Sequence, residues 1–514
     1  MGTTDDARSI TSVDVVVVGG GNAALTAALS AHENGARVLV LEAAPHAERG
    51  GNSRFSGGLF RCAHGGMDDL LPLLVEESAA WADRVRVDPY TRADYVADLQ
   101  LSTQGRIDPD LQDGLVDKAL DTIRWMAGKG VRWELAVGKL IDPENIDPDQ
   151  EYVLPPGGAL RAHDEGVGLI ADLYAAVERE GIEVWYDSPV LELMMDGTAV
   201  TGVVVKGPDG ERPVEGVVVL GSGGFEANPQ MRQRWLGPGW DLAKVRGTRF
   251  NQGHVLEHAL ERGAQAHGHW GGCHASPLDF DAPAVGDLRY TDKMSRYSYP
   301  YSIMVNRDAE RFVDEASDHV WMTYAKTGSK IREQPGAWAA QIFDAQTVHL
   351  LETRYSTGTP VVADTLAELG EKLGLDVEGF LATVEAYNAA CPEQEFDPFR
   401  MDGLRSAPHG QPVKSNWSTR IEQGPFVAYQ VTCGITFTYG GLRIDAEGRV
   451  LDVAGRVMPG LYATGEITGG FFYHNYPAGS GLPRGAVWGR IGGAGAAAEA
   501  LARSGSPAAA EVGA

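Results

Sequence analysis

The segment "VDVVVVGGGNAALTAAL" constrains the fold more than any other part of this chain. Residues 13–18 are an apolar run that predicts a buried parallel strand, and a glycine turn follows them. The Ala-rich stretch from Asn22 predicts a helix that Gly35 closes. "RVLVLE" then predicts a second strand, so the three elements form a βαβ unit. A chain that contains this unit is expected to have an α/β fold.

The turn inside this unit carries the pattern Gly19-x-Gly21-x-x-Ala24, which is typical of dinucleotide-binding proteins. Gly19 permits the sharp strand-to-helix turn, and Gly21 lets the backbone approach a pyrophosphate. Ala24 keeps the helix close to the strand. Glu42 ends the second strand and is expected to bind a ribose hydroxyl, which disfavours a 2′-phosphate. The pattern therefore predicts FAD or NAD rather than NADP.

The overall charge restricts the partners of the chain. The 514 residues carry a net charge of −26, with no block of basic residues. Such a chain repels the phosphates of nucleic acids and of anionic membranes. We therefore expect a small-molecule substrate and no nucleic-acid partner.

Cysteine usage and the N-terminal sequence predict the cellular compartment of the protein. The cysteines Cys62, Cys273, Cys391 and Cys433 are scattered without metal-binding spacing, so we expect no metal site and a reducing compartment. "MGTTDDARSITS" is polar and acidic and does not resemble a signal peptide. No apolar run reaches the roughly 18 residues that a membrane span requires. These features predict a cytoplasmic protein without direct membrane insertion.

Three further segments decide between FAD and NAD. They are "RGGNSRFSGG" (49–58), "VVLGSGGFEAN" (218–228) and "PGLYATGEITGG" (459–470). With them the chain resembles the flavoproteins of the succinate dehydrogenase and fumarate reductase superfamily, from about residue 14 to 493. "GGNSRFSGG", "TCGITFTYGG" and "NYPAGSGL" are most similar to the tricarballylate dehydrogenase branch.

The resemblance implies FAD as the cofactor. It is expected to be non-covalent, because residues 49–58 hold no His where some members attach FAD. The motifs place the FAD contacts at Gly19, Gly21, Asn22, Ala23, Ala24, Glu42, Gly51, Asn52, Ser53, Gly57, Gly58, Ser222, Gly223, Gly224, Gly465, Glu466, Ser480, Gly481 and Leu482.

The resemblance also implies a Rossmann-type FAD-binding domain interrupted by an α+β capping domain. On this chain the FAD-binding domain would span residues 10–282 and 431–504, and the cap would span 283–430. The substrate would then lie between cap and flavin. Residues 505–514 are small and polar, and we expect a disordered tail there.

Fumarate reductases hold a dicarboxylate with His and Arg side chains, and most of these are replaced here. His274 matches a substrate-binding His, whereas Phe437 replaces a second His and Tyr476 replaces a carboxylate-binding Arg. His319 and Val320 stand near the position of the proton-donating Arg. Loss of the bidentate Arg disfavours fumarate or succinate as the substrate.

"NYPAGSG" is also similar to a Tyr-Pro-Gly turn of the 3-ketosteroid dehydrogenases. That resemblance implies that the Tyr476 hydroxyl and the Ser480 N–H bind a substrate carbonyl and stabilise its enolate. Tyr324 and His319 are candidates for the proton-transfer group, and His474 either lies near the flavin edge or only fills a loop. Each of these side chains has a structural role as its alternative.

Three hypotheses for function follow. The first is an FAD-dependent dehydrogenase or ene-reductase that acts on a C–C or C=C bond next to a carbonyl or carboxylate. The second is a tricarballylate-type polycarboxylate dehydrogenase, whose flavin passes electrons to a quinone, an iron–sulfur partner or oxygen. The third is an inactive flavin-binding scaffold. The second requires a positive charge from one of Arg54, Arg61, Arg249, Arg296 and Arg484.

Overall fold

The computed structural model of the protein describes residues 11–137, 152–207, 210–398 and 400–505. The strands are β1 (Thr11–Val18), β2 (Val38–Leu41), β3 (Val85–Arg86), β4 (Trp133–Leu135), β5 (Tyr152–Val153), β6 (Leu160–Ala162), β7 (Glu183–Trp185), β8 (Val190–Asp196), β9 (Ala199–Gly207), β10 (Gly210–Leu220), β11 (Lys244–Val245), β12 (Ala266–Asp279), β13 (Ile303–Val305), β14 (Ala339–Phe343), β15 (Val361–Ala363), β16 (Phe426–Leu442), β17 (Arg449–Leu451) and β18 (Val457–Ala463).

The α-helices alternate with these strands along much of the chain. They are α1 (Asn22–Glu33), α2 (Met67–Leu70), α3 (Glu76–Ala79), α4 (Arg92–Thr103), α5 (Pro109–Gly128), α6 (Glu165–Arg179), α7 (Pro229–Leu236), α8 (His254–Glu261), α9 (Val320–Arg332), α10 (Leu366–Leu373), α11 (Val377–Ala389) and α12 (Gly481–Arg503). The predicted α/β class is confirmed.

The first sheet has the strand order β17–β18–β10–β1–β2–β7, and β9 and β8 extend from β10. β1 lies between β10 and β2 and is parallel to both. Its last four residues, Val15 to Val18, are buried, as expected for a β-branched run covered on both faces. The parallel strands β1, β2 and β10 therefore end at one edge of the sheet, where α/β proteins bind their ligands.

A second sheet has the order β11–β16–β14–β13, with β12 and β15 also paired to β16. Its outer part packs on α10 and α11 around a core that includes Ile342, Phe380 and Ala428. β16 is 17 residues long and reaches from this outer core to Phe437 and beyond. One strand thus connects the region predicted as the cap to the cavity described below.

Helices α1 and α12 pack almost backbone to backbone. A Cβ atom on Gly489 would lie 2.6 Å from the carbonyl oxygen of Ala23, and one on Gly493 would lie 2.3 Å from that of Ala27. Only glycine allows this approach. The amide of Asn22 also donates to the carbonyl oxygen of Leu482 at 2.9 Å. Both helix N-termini are thereby brought to the same place.

The predicted domain boundaries at 282/283 and 430/431 stay predictions, and β16 runs through the second of them. The predicted disordered tail lies outside the described residues apart from Gly505. Within the described parts of the chain, no helix combines the length and apolarity that a bilayer crossing demands.

Candidate active site

A single elongated cavity passes the carboxyl ends of β1, β2 and β10, where Val18, Leu41 and Gly221 line it. It continues past the N-termini of α1 and α12 to side chains of the second sheet and of α9. The cavity therefore has two ends of different character. We call them the dinucleotide end, around Gly21 and Glu42, and the chemistry end, around Tyr476 and His274.

Backbone geometry builds the dinucleotide end. Gly19 has φ +112°, and a Cβ atom there would lie 2.4 Å from the carbonyl oxygen of Gly221. A Cβ atom on Gly21 would meet nothing closer than Ser53 Oγ at 3.4 Å, so the space above this residue is open. The first-turn N–H groups of α1 have no intrahelical acceptors, and that of Asn22 donates to Ser53 Oγ at 3.1 Å. This arrangement fits a pyrophosphate group at the positive end of α1.

Glu42 follows β2 directly and lines the cavity, although its side chain is buried. Its Oε1 accepts a hydrogen bond from the Ala44 N–H at 2.8 Å. Burial raises the pKa of Glu42 to about 7, against the lowering effect of backbone N–H groups at Ala44, Gly50 and Gly20. A ribose hydroxyl that donated to this carboxylate would favour its ionised form, so Glu42 fits the predicted ribose contact.

Most of the residues predicted to bind FAD line this cavity: Gly19, Gly21, Asn22, Ala23, Glu42, Gly51, Asn52, Ser53, Gly57, Gly58, Ser222, Gly223, Gly465, Glu466, Gly481 and Leu482. Ala24, Gly224 and Ser480 do not line it. Ala24 instead packs on the turn after β10, because a Cβ on Gly221 would lie 2.8 Å from that of Ala24. Gly224 packs on Glu466, because a Cβ atom on Gly224 would lie 2.2 Å from the Oε1 atom of Glu466.

Two carboxylic acids lie side by side, the buried Glu226 and the half-buried Glu466, which lines the cavity. The Asn251 amide donates to Glu226 at 2.6 Å and to Glu466 at 3.5 Å. The Thr438 N–H donates to Glu466 at 2.9 Å, and the Asn52 amide donates to Glu226 at 2.6 Å. Burial raises the pKa of both acids, and the charge on Glu466 raises that of Glu226 further. Glu226 is therefore the member that retains a proton.

The chemistry end is organised by a pair of tyrosine hydroxyls. The Tyr324 hydroxyl of α9 donates to the Tyr476 hydroxyl at 3.1 Å, and the Gly479 N–H donates to the same oxygen at 3.2 Å. A phenol oxygen accepts two hydrogen bonds and donates one. The remaining proton of Tyr476 is thus free to bind a ligand in the cavity, which all three residues line.

His274, from β12, packs among these tyrosines. Its ring centre lies 4.8 Å from that of Tyr324 and 5.2 Å from those of Tyr476 and Phe437. Burial lowers the pKa of His274 well below its ordinary value, and the charge of Arg246 lowers it further. His274 is therefore a neutral imidazole at neutral pH, beside neutral phenols.

A buried ionic network that the sequence did not predict completes the chemistry end. Arg246 and Arg354 share the carboxylate of Asp292, and Arg354 also pairs with Glu352 at 2.7 Å. All four line the cavity, and Arg354 lies over the ring of Tyr297 at 4.8 Å. Arg246 follows β11, a strand of two residues, and the other three come from loops and 3₁₀ turns. No local pattern marks them in the sequence.

Three side chains predicted for this end lie elsewhere. Ser480 is fully buried, and its N–H donates to the carbonyl oxygen of Pro477 at 3.3 Å. His319 occupies the N-cap position of α9 without a capping hydrogen bond from its side chain and stacks on Trp321, and burial lowers its pKa to about 4. His474 has φ +62° and packs against His269 outside the cavity lining.

Of the five arginines proposed for a polycarboxylate, only Arg484 lines the cavity. Three of the others have acidic partners: Arg61 pairs with Asp98, Arg249 with Glu48 and Arg296 with Asp279. Arg54 donates to backbone carbonyl oxygens of residues 47 and 49. The arginines that line the cavity are therefore Arg246, Arg354 and Arg484, and the first two share the carboxylate of Asp292.

Comparison with known proteins assigns the fold and the cofactor. Residues 14–482 match the family described as FAD binding domain. The chain is 28% identical to an NADH:acrylate oxidoreductase of Vibrio harveyi, over 94% of this chain and 50% of that protein. It is 28% identical to a fumarate reductase (cytochrome) of Shewanella frigidimarina, over 94% and 76% of the two chains. It is 27% identical to a 3-oxosteroid 1-dehydrogenase of Mycolicibacterium smegmatis, over 91% and 94%.

Solved structures support the same fold. An open flavocytochrome c3 fumarate reductase superposes with a TM-score of 0.70 at 24% identity, covering 96% of this chain and 80% of that one. A 3-ketosteroid Δ1-dehydrogenase from Sterolibacterium denitrificans superposes with a TM-score of 0.71 at 22% identity, covering 95% and 100%. The present chain thus spans the whole of the second protein but half the length of the Vibrio harveyi relative.

Proposed function

The chain belongs to the FAD binding domain family, with FAD as its cofactor, and on that premise we propose that it oxidises or reduces a C–C bond next to a ketone-type carbonyl. The observation that carries this proposal is the Tyr476 hydroxyl, whose oxygen already accepts two hydrogen bonds and whose proton is left for a ligand. A neutral donor of this kind suits a neutral carbonyl oxygen better than a carboxylate, which requires cationic partners when it is desolvated.

When bound, FAD supplies the hydride chemistry at one carbon of the substrate. The residues of the chain supply the rest. Tyr476 donates to the carbonyl oxygen and so stabilises the negative charge that develops there when the neighbouring carbon loses or gains a proton. The Gly479 N–H holds the Tyr476 oxygen in place, and backbone donors of this kind need no reorganisation during the reaction. His274 and Phe437 exclude water around both groups.

Tyr324 is the proton-transfer group in this proposal. Burial raises its pKa well above the ordinary value, so the hydroxyl is protonated. To pass its proton to the α-carbon it would turn away from the Tyr476 oxygen, which then keeps the Gly479 N–H as its donor. The opposite direction requires the phenolate, which the positive charge of Arg246 stabilises against burial. One residue therefore serves desaturation and reduction alike, and the loop residue His319 is not needed.

The relatives of this chain include one enzyme named for a dicarboxylate and one named for a ketone. The Shewanella frigidimarina relative is a fumarate reductase, and the Mycolicibacterium smegmatis relative is a 3-oxosteroid dehydrogenase. This chain has Tyr476 and Phe437 where the resemblance to fumarate reductases predicts Arg and His. These two replacements favour a ketone over a dicarboxylate.

Substitution of Tyr476 by Phe tests this function directly. We expect turnover to fall by about 10²–10³-fold, the usual effect of removing one donor to a developing oxyanion. Tyr473→Phe is the matched control, because it removes a hydroxyl from the same segment outside the cavity lining. Steady-state rates would be measured on a substrate found by anaerobic bleaching of the bound FAD. Turnover of Tyr476→Phe within threefold of the wild type would refute the proposed role.

The polycarboxylate alternative has one observation in its favour, since three arginines line the cavity. It would add a quinone, an iron–sulfur partner or oxygen as the electron acceptor. The same bleaching experiment, with a panel of ketones, enones and polycarboxylates, separates the alternatives. Bleaching by citrate-like anions alone would favour the polycarboxylate function, and an FAD that no compound bleaches or reoxidises would favour an inactive scaffold.

A further inference from the structure

Glu226 and Glu466 lie at different depths beside the cavity. Glu226 has a relative exposure of 0% and does not line the cavity, whereas Glu466 is half-buried and lines it. The Asn251 amide donates to both acids, at 2.6 Å to Glu226 and at 3.5 Å to Glu466. An acid that a ligand in the cavity cannot reach therefore lies behind an acid that a ligand can contact.

The hydrogen bonds of Glu226 indicate where this acid carries its proton. Its Oε1 atom accepts from the side-chain amides of Asn52 and Asn251, both at 2.6 Å. Its Oε2 atom is fully enclosed, and it has no donor among the residues that the structure describes. A carboxylate oxygen enclosed without a donor is unfavourable, whereas a protonated oxygen becomes a donor itself. The proton of Glu226 therefore lies on Oε2.

Glu466 is the acceptor for this proton. Burial raises the pKa of Glu226 well above its ordinary value, and the charge and the hydrogen bond of Glu466 raise it further. Burial also raises the pKa of Glu466, but its hydrogen bonds with Glu226 and with the Thr438 N–H oppose this effect. At neutral pH the pair thus consists of a neutral Glu226 and an ionised Glu466.

The other charged and titratable groups around the pair compensate one negative charge and not two. Arg484 of α12 lowers the pKa of Glu466 through its positive charge. The guanidinium of Arg232 on α7 is directed instead to three backbone carbonyl oxygens. Cys273 of β12 stays a neutral thiol, because burial raises its pKa well above the ordinary value. If Glu226 lost its proton, its charge would therefore repel that of Glu466 in a buried site.

We propose that Glu226 is a positioning residue for the cofactor. As a neutral acid it donates to Glu466 and holds that carboxylate towards the cavity, where Glu466 accepts from a hydroxyl group of bound FAD. Loss of the Glu226 proton removes this donor and adds a like charge, so FAD binding weakens. The inference rests on FAD as the cofactor and is independent of the ketone proposed as the substrate.

The substitution Glu226→Gln tests this role. Glutamine keeps an oxygen for the amides of Asn52 and Asn251 and an N–H for Glu466, but it does not ionise. The pKa of Glu226 is raised in the folded protein, so its contribution is present at low pH and is lost as the pH rises through that pKa. Wild-type FAD affinity should therefore fall by about tenfold per pH unit above this pKa, whereas that of Glu226→Gln should stay within about threefold.

The affinity is measured from the fluorescence of FAD released when the holoenzyme is diluted. No substrate is needed, so failure of this test is distinguishable from failure of the ketone proposal. Glu257→Gln is the matched control, because it removes a carboxylate that pairs with the exposed Arg234 outside the cavity lining. It should keep the wild-type affinity and pH dependence. Both variants retain Glu42, whose ionisation gives a pH dependence of the opposite sign.

Thermal melting and FAD content identify a variant that has not folded. If Glu226→Gln does not fold, the infrared spectrum of the wild-type holoenzyme decides. It should show the C=O band of a protonated carboxylic acid at neutral pH, and this band should disappear over the pH range in which FAD affinity falls.

Three outcomes would overturn the inference. One is a folded Glu226→Gln variant that loses FAD at alkaline pH as the wild type does. A second is that variant with an affinity already weaker by about tenfold or more at neutral pH, which would mean that FAD binding requires the ionised form of Glu226. The third is a wild type whose spectrum lacks the band of a protonated acid at neutral pH.

Discussion

The two ends of the cavity are built by different means. At the dinucleotide end the shape comes from the backbone of one short segment, in which Gly19 and Gly21 precede the N-terminus of α1. At the chemistry end the shape comes from side chains of distant segments. Tyr476 precedes α12, Tyr324 lies on α9 and Arg246 follows β11. A site built from backbone depends on φ and ψ values that few residue types adopt. A site built from side chains depends on tertiary packing that brings distant residues together.

The two ends are therefore sensitive to different kinds of substitution. A single added Cβ atom disrupts a backbone site, because the backbone itself has no room to move. A side-chain site instead loses function through charge and hydrogen bonding, while the fold around it tolerates change in shape. Substitutions at the two ends should therefore fail in different ways.

Gly19→Val should abolish FAD binding. The new side chain would start 2.4 Å from the Gly221 carbonyl oxygen, at φ +112°, so the turn between β1 and α1 has to open. The ratio of flavin to protein absorbance after purification measures the effect. Gly35→Ala is the control, because φ is +89° there but the nearest atom lies 4.0 Å away. Backbone strain alone should then reduce stability by about 1 kcal/mol without loss of FAD. FAD retained by Gly19→Val would contradict the backbone account.

Arg246→Met should lower turnover by roughly 10–100-fold and destabilise the fold by about 3–5 kcal/mol, because it leaves Asp292 with one cation fewer. It should also move the alkaline limb of the pH–rate profile to higher pH. The sign follows from the positive charge of Arg246, which lowers the pKa of Tyr324 and Tyr476 against the effect of burial. Thermal melting and pH-dependent turnover measure the two effects.

The double variant Arg246→Met/Asp292→Asn separates these effects. It restores the charge balance of the network, with Arg354 paired to Glu352. Stability should largely return, but the shift of the pH–rate profile should remain. A double variant with the wild-type pH–rate profile would mean that the network only stabilises the fold. The charge of Arg246 would then not contribute to the function of the chemistry end.

Glu42 is a side chain at the dinucleotide end, which is otherwise built from backbone. It therefore tests whether binding at that end also depends on a side-chain charge. Its pKa is about 7 in the protein without FAD, and a donating ribose hydroxyl favours the ionised form. FAD binding should therefore release a proton, and affinity should rise about tenfold as pH increases from 6 to 8. Fluorescence titration of the apoprotein measures it. Glu42→Gln should bind more weakly at pH 8 and lose the pH dependence, and an unchanged dependence would assign it to another group.

The sequence was sufficient for the dinucleotide end because its information is local. A glycine with positive φ and a strand followed by a helix are visible within a few tens of residues, so Gly19, Gly21 and Glu42 could be placed in advance. Tyr476 and His274 were found through resemblance, and the structure brings their rings to 5.2 Å.

The rest could not be predicted because it depends on tertiary contacts. Arg246 and Asp292 are 46 residues apart, and Arg246 follows β11 whereas Asp292 lies in a separate 3₁₀ turn. The substrate contact of the Ser480 N–H stays a prediction, and in the structure this N–H donates to the Pro477 carbonyl oxygen, whereas the Gly479 N–H donates to the Tyr476 hydroxyl. His319 has a suitable chemistry and a suitable sequence position, but its ring packs against Trp417 and Trp321 instead.

Strand β16 has a consequence for anyone who builds chimaeras from this fold. A graft that exchanged residues 283–430 would cut the strand between Gln430 and Val431, which pair with Ala340 and Ala339 of β14. Because side chains alternate along a strand, an error of one residue at that joint would turn Phe437 to the opposite face. A junction placed after Leu442 instead would keep the strand whole and transfer the cavity-lining Phe437 together with the outer core.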